Sequence, residues 1–364
     1  MSQQTKARSA TKRFAPAGAV FAVLGCALFV YFVRKAGVGE VWEYMRRLGW
    51  GFLIILALSG FRFVVRSSAW MLCFEAPYGL RFRDAFRAYL IGDAAGNIVP
   101  LGIVVSEPAK AALVRDRVPL VAGLSAIAIE NIFYSLSVAL FVFSGAVALL
   151  LSFPLSKTLR WTSLGILGGV AVIVPVVFLV LRMQWRILSG MLAALSARGI
   201  GRRVLAGRGE RVRALEDRVY GFYERNRARF LPILLLEASF HLAGVAEAYV
   251  TLYFIFGSPP SILNAFVLES VNRVINVVFK FVPMRVGIDE AGTGMLAKAL
   301  QLGTATGVTL AIVRKARMLF WTAVGVALLV ARGLSLNAVT GEIEETQQEE
   351  VLKDSSPQPL ENIR

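Results

Sequence analysis

The sequence predicts an all-α polytopic membrane protein with about six full spans and two oppositely oriented re-entrant helical hairpins that form an inverted repeat. Three observations carry this. First, 56% of the 364 residues are hydrophobic and the mean hydropathy is +0.63, above the roughly 45–50% apolar content of a soluble domain. Second, two apolar segments are broken by proline in the same pattern. Pro100 is followed seven residues on by Glu107, and Pro283 by Glu290; each proline follows a valine, and a long apolar segment comes after each carboxylate. Third, three apolar spans separate the two breaks, an odd number, so the two broken units face opposite ways.

Taken in order, residues 1–13 are basic (Lys6, Arg8, Lys12, Arg13) and are expected in the cytoplasm. The span 14–33 is long enough, at about 20 residues, to cross the hydrocarbon layer as a helix. It is longer than a signal peptide needs and shows no clear small-x-small cleavage site, so it is read as retained. Residues 34–50 are expected along the interface. The second span, 51–74, carries Arg62 and Arg66 four apart, hence on one face.

Residues 84–115 form the first expected hairpin, entering as far as Pro100 and leaving through Lys110 and Arg115. Proline removes a donor and clashes with the preceding turn, so the entering helix should stop near Val99. Asp93 and Asn97 lie four apart on that arm. A full crossing is the alternative. The span 120–151 contains Glu130 and Asn131, and the span 161–181 has Pro175 as a candidate kink.

Residues 182–229 hold twelve arginines against four acids, with Val212, Leu215, Val219 and Phe222 at helical spacing. This reads as a basic amphipathic segment on the cytoplasmic leaflet, in contact with anionic lipid headgroups. The span 230–256 carries Glu237, His241 and Glu247. The second hairpin, 261–303, enters with Glu269, Asn272, Arg273, Asn276 and Lys280 on one helical face. After Pro283 come Arg285, Gly287, Asp289 and Glu290. The last span, 304–330, has Arg314, Lys315 and Arg317 near its middle, and the polar acidic tail, 333–364, is expected to be disordered. The membrane domain thus runs over 14–332.

A cytoplasmic 182–229 segment puts both termini inside and Gly257–Pro260 outside. Arg34, Lys35, Arg46 and Arg47 would then fall in an external loop, against the positive-inside trend.

The chemistry lies in charges at membrane depth. Eight cations (Arg62, Arg66, Arg273, Lys280, Arg285, Arg314, Lys315, Arg317) face eight acids (Asp93, Glu107, Glu130, Glu237, Glu247, Glu269, Asp289, Glu290). An unpaired charge at the centre of a span costs about 2.5–3.5 kcal/mol on insertion scales, so these groups must meet one another or water. They can be packing salt bridges, or they can line a polar cavity for an amphipathic ligand. On the second reading the substrate contacts are Arg62, Arg66, Asp93, Asn97, Glu107, Glu130, Glu269, Arg273, Asn276, Asp289, Glu290, Arg314 and Arg317.

Enzyme readings find little support. There is no HExxH and no Walker loop, and the glycines Gly287, Gly292 and Gly294 do not follow a strand. One histidine and two cysteines argue against a metal centre or a disulfide framework. The net charge of +16 is explained by membrane-facing basic loops, so nucleic acid is not an expected partner. No cofactor, metal or catalytic residue is expected.

The Asn97-x2-Pro100 break, and Pro283-x3-Gly287-x2-Glu290 opening a helix, resemble the transmembrane region of lysylphosphatidylglycerol synthases and their standalone flippase-like relatives, over roughly 14–332. Leu101 replaces a glycine common in that family, the first acid comes later, at Glu107 before Pro108, and Met284 and Arg285 stand where many members have two glycines. The resemblance implies movement of a lipid between leaflets of the bacterial cytoplasmic membrane. With no soluble domain after the spans, aminoacyl transfer is not expected. The reading is a flippase-like transporter, with Glu107 and Glu290 pinning the hairpin tips and the arginines compensating them or holding an anionic headgroup. The alternative is a non-transporting partner that presents a lipid to a separate synthase or glycosyltransferase. The sequence is compatible with a homodimer and does not fix the oligomeric state.

Overall fold

The computed structural model describes residues 27–98, 103–184, 190–191, 208–279 and 282–331, and their regular structure is helical, with no strand among them. In chain order the helices are α1 (27–36), α2 (Val38–Leu48), α3 (Gly51–Leu72), α4 (Phe82–Ile98), α5 (Ile103–Ala112), α6 (Leu120–Ser152), α7 (Lys157–Arg182), α8 (Arg208–Arg225), α9 (Phe230–Phe256), α10 (Ile262–Val278), α11 (Ile288–Ala299) and α12 (Thr304–Ala331). Among the described residues, four stretches are long and apolar enough to cross a membrane: Gly51–Leu72, Leu120–Ser152, Lys157–Val177 and Arg227–Phe256. The chain is therefore a helical, polytopic membrane protein. Helix α12 has 28 residues, enough for a crossing at about 1.5 Å per residue, but carries three cations midway. Of the expected span 14–33, only residues 27–33 are described, and they belong to α1.

The second expected break coincides with a helix end. Helix α4 stops at Ile98 and α5 starts at Ile103; Pro100 and its neighbours 99–102 lie outside the described residues. Helix α10 stops at Val278, a 3-10 turn covers Pro283–Arg285, and α11 starts at Ile288; Lys280 lies outside the described residues. In the second break Met284 (φ 49°), Arg285 (φ 48°) and Gly287 (φ 82°) all take positive φ. Glycine adopts that region freely, whereas side-chain-bearing residues do so at a cost. The two positions where resemblance places glycines are thus the two that hold this geometry with side chains. The arms fold back on each other in both units: α4 packs on α5, and α10 on α11.

The remaining packing joins elements distant in sequence. Helix α3 lies against α9, α4 against α12, and α10 against α6. Of the apolar clusters that result, two are the largest. One gathers Trp70, Ile129, Phe222 and Ile233, the other Leu149, Leu252, Leu268 and Leu310. Along α9 the change is direct: Ile233 belongs to the first cluster, Ala248 and Leu252 to the second, and the buried Glu237 and His241 lie between.

Peripheral helices follow from composition. Helix α2 buries Val41 and Leu48 while Trp42 stays exposed, the disposition of an interfacial helix. Helix α7 continues through Pro175, so the candidate kink does not interrupt it. Its Val172, Ile173, Val176 and Val177 are exposed, as suits contact with lipid. In the basic 182–229 segment, α8 turns Val219 and Phe222 inward against Phe133 and Ile233, and Arg225 pairs with Glu75 at 3.0 Å. Its apolar stripe is therefore spent at least partly on the bundle rather than on lipid. Val212 is half-buried, and the side chain of Leu215 is outside the described ones. The basic residues 1–13 and the tail 333–364 also lie outside the described residues.

Close approach of α4 and α12 depends on Gly325. A Cβ there would stand 2.6 Å from both the Leu90 carbonyl oxygen and the Ala94 Cβ. Small residues at such contacts let backbones meet where no hydrophobic drive exists between helices. Gly325→Val should destabilise the purified protein by about 1–3 kcal/mol, read as a lowered unfolding midpoint in detergent. Gly168→Val, where an added Cβ meets nothing within 4 Å, should leave the midpoint in place.

Candidate functional site

The charges predicted at membrane depth converge on the centre of the bundle. On α3, Arg66 forms an ion pair with Glu130 of α6 (closest approach 2.8 Å), donating from Nη2 to Oε2 at 3.1 Å, and also meets Glu237 of α9 at 3.4 Å. One turn earlier, Arg62 donates to Glu247 of α9 at 3.2 Å, and Arg317 of α12 donates to the same carboxylate at 2.6 Å. Glu269 of α10 accepts from Arg273, one turn along its own helix, and from Arg314 of α12 at 2.9 Å. Lys315 bridges Glu290 at 2.7 Å and Asp289 at 3.3 Å, and Asp289 also meets Arg285 at 3.3 Å. Lys110 pairs with Glu107 at 3.0 Å. These residues are largely buried, so each charge depends on its partner.

Aromatic rings cover the guanidinium faces. Arg62 stacks on Phe240 at 4.1 Å, Arg66 on Tyr134 at 3.9 Å, and Lys110 sits 3.9 Å from the Tyr89 ring centre. The Tyr89 hydroxyl accepts from Arg66 Nε at 2.7 Å. Cations are weakly hydrated by such faces but are held electrostatically, which keeps the guanidinium edges directed sideways.

These side chains surround a cavity of about 360 Å³. Its wall includes eight cations (Arg62, Arg66, Lys110, Arg273, Arg285, Arg314, Lys315, Arg317) and three carboxylates (Asp93, Glu107, Asp289). Neutral polar groups come from Asn97, Asn131, Asn272 and Asn276, and apolar surface from Phe63, Phe240, Val277, Met318 and Trp321. The volume is in the range of small-molecule sites, about 300–1,000 Å³. Arg62 and Arg66, on one face of α3, both line the cavity.

Ten of the thirteen expected substrate contacts line this wall; Glu130, Glu269 and Glu290 do not. Those three stand behind the cations they hold: Glu130 behind Arg66, Glu269 behind Arg273 and Arg314, and Glu290 behind Lys315. The expected tip-pinning role divides unequally. Glu290 Oε2 accepts the Gly287 backbone N–H at 2.7 Å, closing the first turn of α11 as a capping carboxylate does. Glu107 instead pairs with Lys110 one turn along α5. Asp93 accepts from Asn97, whose amide also donates to Thr322 at 3.1 Å. His241 meets Ser137 Oγ at 3.0 Å and stacks on Phe141, so it is no partner for Glu237.

Lys110, Tyr89, Tyr134 and Phe240 were not among the expected contacts. Lys110 had a signal in the sequence, a lysine three residues after Glu107 on the same helix face. The aromatics had none, since rings abound in every span. Among the described residues no group of three or more His, Cys, Asp or Glu side chains is arranged to hold a metal ion.

Removing Arg66 leaves Glu130 and Glu237 buried together without their cation. Arg66→Met should cost about 3–5 kcal/mol of stability, measured as loss of the detergent unfolding midpoint. Adding Glu130→Gln and Glu237→Gln should recover part of it.

No curated protein and no solved structure matches the chain. The family described as "Lysylphosphatidylglycerol synthase TM region" matches residues 17–325. That stretch contains both helix breaks and every pair around the cavity, and the chain belongs to this family of lysylphosphatidylglycerol synthase transmembrane regions.

Proposed function

We propose that this protein is a flippase-like transporter that moves an amphipathic lipid between leaflets of the bacterial cytoplasmic membrane. The observation that carries the reading is a cation-rich cavity lined by helices of an apolar bundle. An ionic chamber of this kind serves a headgroup, while the exposed apolar surface of α7 and its neighbours suits acyl chains. Family membership supports a lipid-related role.

Alternating access needs two halves that can rock against each other, and the packing supports such a division. Pairing 51–152 with 230–331 sets α3, α4, α5 and α6 against α9, α10, α11 and α12. Under that exchange the contact α4·α12 becomes α10·α6, α3·α4 becomes α9·α10, and α5·α6 becomes α11·α12, while α3·α9 maps onto itself; each of these contacts is present. We read the two broken units as re-entrant hairpins of opposite orientation within six full spans. The basic 182–229 segment and both termini are then cytoplasmic. Inverted repeats with broken helices meeting at mid-depth are a recurrent transporter plan. The chemistry is binding and release, and no bond is made or broken.

Purified protein in liposomes should exchange a labelled lipid between leaflets. Glu107→Gln and Glu290→Gln should each abolish exchange while the protein still inserts and purifies, because each removes a partner from a lysine at the cavity. Leaflet exchange at the wild-type rate in both variants rejects this assignment. A wild-type protein that binds lipid but moves none is a presenting partner instead.

A further inference from the structure

The ion pairs around the cavity are not evenly balanced. Arg62 and Arg317 share Glu247, and Arg273 and Arg314 share Glu269. Four arginines therefore meet two carboxylates, an excess of two positive charges in one corner. The other groups carry no positive excess: Arg66 meets two glutamates, Lys110 meets Glu107, and Lys315 with Arg285 meets Asp289 and Glu290, while Asp93, on the same wall, accepts from Asn97. The two groups adjoin, since the Phe240 ring lies against both Arg62 and Arg273.

The same four arginines hold unused donors. Arg62 Nε, Arg273 Nε, Arg314 Nη1 and Arg317 Nε are buried N–H groups with no hydrogen-bond partner among the described residues. Arg62 and Arg273 are 7% and 5% exposed, and all four side chains line the cavity. A buried donor left unsatisfied is costly, and more so when charged. Phe240 packs against the faces of Arg62 and Arg273, so what remains for a ligand is their edges. Guanidinium edges match the paired oxygens of a phosphate.

We propose that this four-arginine corner binds a doubly charged phosphate, the phosphomonoester or diphosphate end of a lipid, in preference to a phosphodiester or an aminoacylated headgroup. A dianion cancels the excess of two and meets the four guanidinium groups where they line the wall. A phosphodiester, with one charge, cancels half. A lysyl-bearing headgroup brings positive charge of its own to the arginines. The proposal rests on the cavity being a lipid site and specifies which lipid it takes.

The test is equilibrium binding to the full chain in phosphatidylcholine nanodiscs, competed with phosphatidic acid, a polyprenyl diphosphate, phosphatidylglycerol, lysylphosphatidylglycerol and inorganic pyrophosphate. Phosphatidic acid and the diphosphate lipid should bind about tenfold or more tighter than phosphatidylglycerol, with the lysyl lipid weakest. Arg273→Gln and Arg314→Gln should each weaken dianion binding about tenfold. Since those variants alter ion pairs, Asn276→Asp gives an independent reading. Asn276 lines the same wall, its Oδ1 has no partner, and the change breaks no ion pair. It should weaken phosphatidic acid binding while leaving the unfolding midpoint within error. Equal or tighter binding of phosphatidylglycerol or the lysyl lipid overturns the proposal, as does unchanged dianion binding in all three variants. Pyrophosphate competing as well as the lipids reassigns the corner to a soluble anion and overturns the lipid source. Binding is read without transport, so a protein that selects dianionic lipids but moves none sinks the transport reading and leaves this one standing.

Discussion

A charge at the centre of a membrane protein must find an opposite charge, and this requirement organises the bundle. Arg66 on α3 reaches α6 and α9; Arg62 and Arg317 join α3 and α12 through Glu247 on α9; Arg314 ties α12 to α10; and Lys315 ties α12 to α11. Lipid tails are as apolar as leucine, so burial of apolar side chains gives little drive for one helix to choose another. Ion pairs restore that choice. Each links helices that are far apart in sequence, and breaking one strands a buried charge.

The pairs are also layered. Cations are the main charged groups of the cavity wall, and carboxylates such as Glu130, Glu237, Glu247, Glu269 and Glu290 stand behind them. The inner layer keeps the arginines charged and positioned, and the outer layer is what a ligand meets. The four-helix corner around Glu247 and Glu269 is the place where the two layers fail to cancel. A wholly structural set of salt bridges has no need of such an excess, because buried pairs contribute little stability for their cost.

The second helix break contributes to the cavity wall through Val282, Met284 and Arg285. The turn after Val282 places Met284 and Arg285 in positive-φ geometry, and Gly287 follows with its N–H held by Glu290. Residues held in such conformations persist where surrounding contacts over-determine them. Here those contacts are Lys315, which accepts no bond but donates to the Arg285 carbonyl at 3.4 Å, and the Arg285–Asp289 pair. The strained turn is thereby fastened to the cavity wall.

Much of this was legible in the chain itself. Apolar runs determine a helical membrane protein, and the seven-residue spacing of Pro100 to Glu107 and Pro283 to Glu290 marks two candidate breaks; proline alone does not decide a break, since α7 runs on through Pro175. The cost of a charge in lipid likewise required that sixteen ionic groups be paired. Which group pairs with which was decided only by the tertiary structure. Glu237 and His241 are four residues apart yet turn to different partners, Arg66 and Ser137, and Glu247 takes two arginines separated by more than 250 positions in the chain. Partner choice in the membrane depends on distances between helices, and sequence spacing carries no measure of them. The excess of positive charge at one corner of the cavity follows from that choice, so it is a property of the fold alone.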